Sequence, residues 1–303
     1  MNIVVVGTGA VGGFFGGLLH NSGENVTFLA RGQHLLTMKE SGLKLTTHQG
    51  EYIINGTFTD QYEVISEADL IILAVKSTET KNTLTKIKPY MNERNSYILT
   101  LQNGVDNEEI LIEGLGVERV LAGSSYLSSQ LKEPGHVVQH GKHGLIIGGL
   151  HESQAETVER IASVFQNAGI NCMLTDNIMR KKWEKLLWNV AFNPLSTVSE
   201  ATVGEILDHE DLRKVADQVL DEAILIAQSL GIPLKDHMKD KVFADANSVR
   251  EHKTSMLQDR IKGKPMEIES LCGFFVRKGE ELRVEVPVIR TIYSLLTFID
   301  ARG

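Results

Sequence analysis

Short, unbroken apolar runs separated by polar stretches dominate the first half of the chain. Residues 2–6 (NIVVV) read as a buried strand ended by glycines. Residues 13–22 read as a helix stopped at Gly23, and residues 25–30 (NVTFLA) as the next strand. Further strand runs follow at 69–75 (DLIILAV), 96–101 (SYILTL) and 119–122 (RVLA), with helix-compatible segments between several of them. Continuous apolar runs joined by crossovers predict a parallel sheet covered on both faces. Two further pairs interrupt the pattern, at 43–55 and 136–147; the second, HVVQH then GLIIGG, reads as an antiparallel extension of that sheet. Residues 152–168 read as one more helix and 170–174 (INCML) as one more strand.

After about Thr175 the texture changes. Helical periodicity takes over at 177–192, 210–230 (ending at Gly231), 235–249, 256–278 and 288–301, and no strand run of comparable strength appears. The boundary falls near Asp176. It separates an α/β N-terminal domain, residues 1–175, from an all-α C-terminal domain, residues 176–303. No Gly/Ser-rich linker joins them, so direct packing around a cleft is expected.

A length of 303 residues suits two ordinary cores, and 42% hydrophobic with 6% aromatic residues leaves aliphatics to carry most of the burial. The net charge of −8 argues against a nucleic-acid surface, though local cations can still form a pocket for an anion. The two cysteines, Cys172 and Cys272, offer no metal-ligand spacing and no disulfide framework. No segment approaches the ~20 apolar residues of a membrane span, and the N-terminus lacks the basic flank of a signal peptide. The expectation is a cytoplasmic protein with no membrane partner and no metal.

Gly7-Thr8-Gly9-Ala10-Val11-Gly12 follows the first strand directly and opens a helix, the context in which G-x-G-x-x-G binds a dinucleotide. Gly7 permits the tight turn, Gly9 lets backbone approach the pyrophosphate, and Gly12 allows close helix–strand packing. The helix N-terminus offers free N–H groups to the phosphates. The fold class is therefore a Rossmann-like dinucleotide-binding domain followed by helices. At the end of the second strand an acid would bind the ribose 2′-hydroxyl of NAD, whereas this chain reads Ala30-Arg31-Gly32. Arg31 matches a 2′-phosphate, which favours NADP, with a solvated surface arginine as the alternative.

In the second half, Lys185, Asn189 and Asn193 recur at i, i+4 and i+8 along one helix face, while Leu186, Leu187, Val190 and Ala191 fall largely on others. An ammonium among amides suits a carbonyl that gains negative charge on receiving a hydride, because it can stabilise the oxygen and then protonate it. Spacing alone leaves open a helix whose polar side faces water. Ser255 reads either as the cap of the following helix or as a ligand for a carboxylate. Glu267 reads as a first-turn helix acid.

Taken together, GTGAVG at 7–12, AVK at 74–76, QNG at 102–104, KLLWNVAFNPL at 185–195, SMLQD at 255–259 and EIE at 267–269 resemble the ketopantoate reductase (2-dehydropantoate 2-reductase) family. The glycine loop is generic; K-x-x-x-N-x-x-x-N-P-L with a downstream SMLQD is specific. The resemblance implies reduction of 2-dehydropantoate to (R)-pantoate with NADPH, a step towards pantothenate and coenzyme A. It implies Lys185 as proton donor, and Asn189, Asn193 and Ser255 as substrate ligands. Asn103 would lie near nicotinamide and substrate, Lys76 would serve the cofactor, and Glu267 would contact the cofactor's ribose and nicotinamide end.

Two positions depart from the family pattern. His252 and Val203 stand where some members carry asparagines that would meet the substrate's tail. A different 2-keto acid, branched or aromatic, giving an (R)-2-hydroxy acid, is thus the main alternative; an NADP-binding regulator without catalysis is the other. A homodimer through the helical domain is compatible with the long helices, without any feature that selects it.

Overall fold

The computed structural model describes residues 1–91 and 96–302. The chain forms two compact units. The first comprises Met1–Asn103 and Asn107–Ile178, and the second Gly104–Asp106 together with the chain from Met179 on. The division therefore falls after Ile178, not after residue 175, and a tripeptide from the first half joins the helical unit.

The first unit runs β1 (Asn2–Val6), α1 (Ala10–Asn21), β2 (Asn25–Leu29), α2 (Gly32–Ser41), β3 (Leu43–Thr47), β4 (Gly50–Ile54), β5 (Thr57–Thr59), β6 (Leu70–Leu73), α3 (Thr80–Ile87), β7 (Tyr97–Thr100), α4 (Asn107–Leu115), β8 (Val120–Glu133), β9 (His136–Gly149), α5 (Ala155–Asn167) and β10 (Cys172–Leu174). Its strands form one mixed sheet in the order β4-β3-β9-β8-β7-β6-β1-β2-β5, with β10 beside β9. From β5 through β2, β1, β6 and β7 to β8 every pairing is parallel. Alternation along β1 sends Ile3 and Val5 into one core with Phe28, Ile72 and Leu99, and Val4 and Val6 into another with Ile71, Leu73 and Leu111. A strand buried on both faces favours apolar residues on each, so β1 reads as a run of hydrophobics.

Beyond β8 the sheet departs from expectation. The segment at 136–147 is not a pair of strands but part of the single strand β9, antiparallel to a β8 that extends to Glu133. Leu127 pairs with His143 and Ser128 with His140, so Gly141 and Lys142 are extra residues on β9. Gly141, at φ +69°, sits in a bulge; the glycine that looks like a turn only bends the strand. The expected hairpin at 43–55 is present as β3 and β4.

The second unit is helical: α6 (Ile178–Ser199), α7 (Val203–Asp208), α8 (Glu210–Ser229), α9 (Met238–Asn247), α10 (Ser255–Ile261), α11 (Phe274–Leu282) and α12 (Pro287–Asp300). Helix α6 continues past residue 192 and through Pro194. The stretch expected as one helix over 256–278 is broken instead. It stops at Ile261, passes Gly263 at φ +60° and Pro265, and resumes through a π-helical turn at Glu269–Gly273 into α11. A left-handed glycine followed by proline ends a helix for steric reasons. α7, not foreseen, is fixed by a capping box in which Thr202 and Glu205 bond each other's backbone N–H.

Trp183, 1% exposed, anchors this core with its ring edge-on to Phe274 and Phe275 at 5.8 Å. Val105 of the inserted tripeptide is buried in the same core, and Arg277 stands 3.7 Å from Asp106. Among the described residues, no helix is long and apolar enough to cross a membrane.

Candidate active site

The segments singled out in the first half all leave the carboxyl ends of neighbouring parallel strands. The glycine loop follows β1, Arg31 follows β2, Lys76 follows β6 and Asn103 follows β7, and the strand order β2-β1-β6-β7 sets these ends side by side. β1 is the point where the winding reverses, the usual crevice for a nucleotide in such a sheet.

Each glycine of the loop has its own reason. A Cβ on Gly7 would fall 2.8 Å from Val75 Cγ1 and 2.8 Å from the Val75 nitrogen, at φ +95°. One on Gly12 would fall 2.2 Å from the Gly7 carbonyl oxygen. One on Gly9 would meet nothing within 4 Å. Two of the glycines are thus needed by the protein's own packing, and Gly9 borders open space. Helix α1 begins at Ala10 and Val11 with no side-chain cap and no acid in its first turn. Its N-terminal N–H groups and positive dipole end therefore suit an anion. Open space at Gly9, an uncapped helix end and the nearby Arg31 fit a dinucleotide.

Thr8 is 3% exposed and donates its hydroxyl proton to the Leu29 carbonyl at 2.9 Å. Its own carbonyl accepts from His34 Nε2 at 2.5 Å, while His34 Nδ1 accepts the Gly135 N–H at 2.8 Å. A backbone N–H can only donate, so Nδ1 is the bare nitrogen and Nε2 carries the proton. Burial keeps the His34 pKa below its ordinary value, consistent with a neutral ring.

Arg31 occupies the N-cap position of α2; its side chain is 82% exposed, with Glu79 3.5 Å away. An exposed pair of this kind contributes about 0–1 kcal/mol, so the guanidinium is easily recruited by a stronger anion. Lys76 lies between β6 and the turn at Ser77–Glu79. The Asn103 carbonyl accepts from Asn107 Nδ2 at 2.8 Å.

In the helical unit, Asn189 and Asn193 are 9% and 4% exposed, and neither carboxamide has a hydrogen-bond partner among the described residues. Lys185 shares their face of α6. Burial pushes its pKa down from 10.5 to about 8, with the Lys182 charge adding to the effect and Glu267 opposing it. Lys182, three residues earlier on the same helix, is only 4% exposed. It is one of the residues that tune this ammonium, and nothing in the local pattern marks it.

Ser255 does not cap α10. Thr254 does, accepting the Leu257 N–H, and Ser255 is the first helical residue, exposed to solvent. Glu267 precedes the π-helical turn and is close enough to Lys185 to raise its pKa. The two departures from the family pattern part company. Val203 is 0% exposed and packs in the helical core. His252 stays half-buried, its ring 6.0 Å from Trp188.

A surface cavity of about 730 Å³ opens beside Met1, Asp69, Tyr97, Glu156 and Arg160, at the amino ends of β1, β6 and β7. It lies at the opposite end of the strands from the glycine loop. Among the described residues no group of three or more His, Cys, Asp or Glu is placed to hold a metal ion.

A Rossmann-like mixed sheet with a parallel half and an open glycine loop, followed along the chain by helices that carry a lysine of lowered pKa, is the make-up of a two-domain oxidoreductase. The chain belongs to the ketopantoate reductase family: Ketopantoate reductase PanE/ApbA matches residues 3–152 and its C-terminal domain residues 177–300. It is similar to a 2-dehydropantoate 2-reductase of Pyrococcus horikoshii, 33% identical over 100% of this chain and 99% of that protein. A crystal structure of a PanE/ApbA family ketopantoate reductase from Ralstonia eutropha JMP134 superposes with a TM-score of 0.93 at 30% identity, covering 100% and 99% of the two chains. The ternary structure of D-mandelate dehydrogenase with NADH and anilino(oxo)acetate superposes with a TM-score of 0.92 at 26% identity, covering 100% and 99%.

Proposed function

We propose that this chain reduces the keto group of 2-dehydropantoate to (R)-pantoate with NADPH. The observation that carries the reading is Lys185, an ammonium with a pKa near 8 on one face with two unpartnered buried amides, in a family of this activity.

The glycine loop Gly7–Gly12, with the uncapped N-terminus of α1, would hold the pyrophosphate, and Arg31 would serve a 2′-phosphate. Lys76, Asn103 and Glu267 are the residues that would hold the rest of the cofactor, which when bound would supply the hydride. Ser255 and the Asn189 and Asn193 carboxamides bind the carboxylate and hydroxyl of the substrate. Lys185 stabilises the negative charge that develops on the carbonyl oxygen and transfers its Nζ proton there. A pKa near the working pH lets it both give up that proton and regain one from water.

A second reading has one specific observation in its favour. The half-buried His252 beside Trp188 would accept an aromatic or branched tail, and a related structure is named a D-mandelate dehydrogenase. A panel of 2-keto acids followed at the NADPH absorbance band, with NADH in parallel, tests both. Preference for ketopantoate and NADPH is expected. Preference for phenylglyoxylate would establish the second reading, and NADPH binding without turnover of any keto acid would make the chain a regulator.

A further inference from the structure

Four polar side chains lie buried in the first unit around the carboxyl ends of β6 and β7: Thr80, Thr100 and Asn107 at 0% exposure and Gln102 at 6%. Their bonds form one chain with a fixed direction. The Thr100 hydroxyl donates to Gln102 Oε1 at 3.0 Å. Gln102 Nε2 donates to the Val75 carbonyl at 3.1 Å and to Thr80 Oγ1 at 2.8 Å. The Thr80 hydroxyl donates to Asn107 Oδ1 at 2.7 Å, and Asn107 Nδ2 donates to the Asn103 carbonyl at 2.8 Å. No donor is used twice for one proton, so reversing any link would leave a buried group unpaired. Buried networks of this kind are stiff, because a half-satisfied one is worse than none.

What the network grips is specific. Its two backbone ends are the carbonyls of Val75 and Asn103, the residue before Lys76 and the centre of QNG. Val75 is also the residue against which Gly7 is packed with no room for a Cβ. Thr80 opens α3 and Asn107 opens α4, so two helices and the ends of β6 and β7 are tied to the glycine loop through these side chains.

A dinucleotide crosses such a sheet at its switch point, one mononucleotide half on each side. Arg31 after β2 marks the adenosine side, which leaves β6 and β7 to the nicotinamide half. Resting on the proposed cofactor reading, we propose that Thr80 and Asn107 are positioning residues: Thr80, through Gln102, holds Val75 and with it Lys76, and Asn107 holds Asn103, in the geometry that seats the reduced ring.

The test compares wild type with Thr80→Val, which keeps the volume and loses the hydroxyl, and Thr80→Ser, which keeps the hydroxyl. Two affinities are measured by titration: for NADPH, through its fluorescence, and for adenosine 2′,5′-bisphosphate, which carries only the adenosine half. Steady-state kcat/KM for NADPH is the third readout. The expected result for Thr80→Val is a loss of about 10- to 100-fold in kcat/KM and weaker NADPH binding, the size expected of sub-ångström misplacement. Its affinity for the bisphosphate should stay within about threefold, and Thr80→Ser should lie near wild type on all readouts.

Equal losses for NADPH and bisphosphate would reduce the network to general stability and overturn the proposal. So would unchanged NADPH parameters in Thr80→Val, or a Thr80→Ser as impaired as Thr80→Val. If Thr80→Val does not fold, Asn107→Leu removes the donor to Asn103 with little change of shape and is judged by the same comparison. If wild type turns over no keto acid, the functional reading fails, while the two binding constants still decide the role of the network.

Discussion

Gly7 and Val75 approach so closely that a methyl group at position 7 would lie 2.8 Å from Val75 Cγ1 and from its backbone nitrogen, at a φ of +95° that favours glycine. Position 9 is the opposite case, since a methyl group there would have nothing within 4 Å. The two glycines therefore predict opposite outcomes. Gly7→Ala should lower stability by roughly 1–3 kcal/mol through strain and overlap. Gly9→Ala should leave the melting temperature unchanged yet weaken NADPH binding by about tenfold or more, since its methyl takes space meant for phosphate. Thermal denaturation and NADPH titration of both variants check this; a Gly9→Ala protein that binds normally would place the pyrophosphate elsewhere.

Arg31 and Glu79 share an exposed ion pair at 3.5 Å. A 2′-phosphate competes for the same guanidinium, so Arg31→Ala should raise KM for NADPH by about tenfold or more and leave KM for NADH nearly unchanged. Glu79→Gln should tighten NADPH binding slightly. Parallel kinetics with the two cofactors read this directly, and equal effects on both would remove Arg31 from the phosphate.

Thr254 and Ser255 are adjacent but separable. Thr254 caps α10, so Thr254→Ala should cost about 1 kcal/mol of stability. Ser255 is exposed and not the cap, so Ser255→Ala should leave stability alone and raise KM for the keto acid several-fold, with KM for NADPH unaltered. A loss of stability in Ser255→Ala without a change in KM would reverse these roles.

Lys185 links stability and rate to pH in a defined direction. The unfolded chain holds the lysine proton up to 10.5 and the folded one up to about 8. Between those values the unfolded state binds more protons, so raising the pH should stabilise the fold through this group. Catalysis runs the other way, because the proton donor is lost above its pKa. Keto reduction should be level below about pH 8 and fall above it, and Lys185→Arg, charged throughout, should lack that alkaline limb.

The strands of the parallel sheet are legible because burial on both faces favours apolar residues on each, and the glycine loop because only glycine fits at positions 7 and 12. The long strand β9 is not, since Gly141 looks the same in a bulge and in a turn. α6 hides its length behind Asn193-Pro194; the proline removes one helical N–H, but apolar residues on both sides hold the helix in register. Lys185, Asn189 and Asn193 are visible through their spacing. Thr80, Asn107 and Lys182 are not, because their significance lies in contacts between segments that are distant in the chain or in burial that no local pattern signals.

The most direct measurement is a single-turnover experiment in which ketopantoate is mixed with enzyme already saturated with NADPH, for wild type and Lys185→Ala. The predicted result is hydride transfer slower by about 10²-fold or more in the variant, with NADPH affinity within a factor of about two. A variant that transfers hydride at the wild-type rate would show that the proton comes from somewhere other than Lys185.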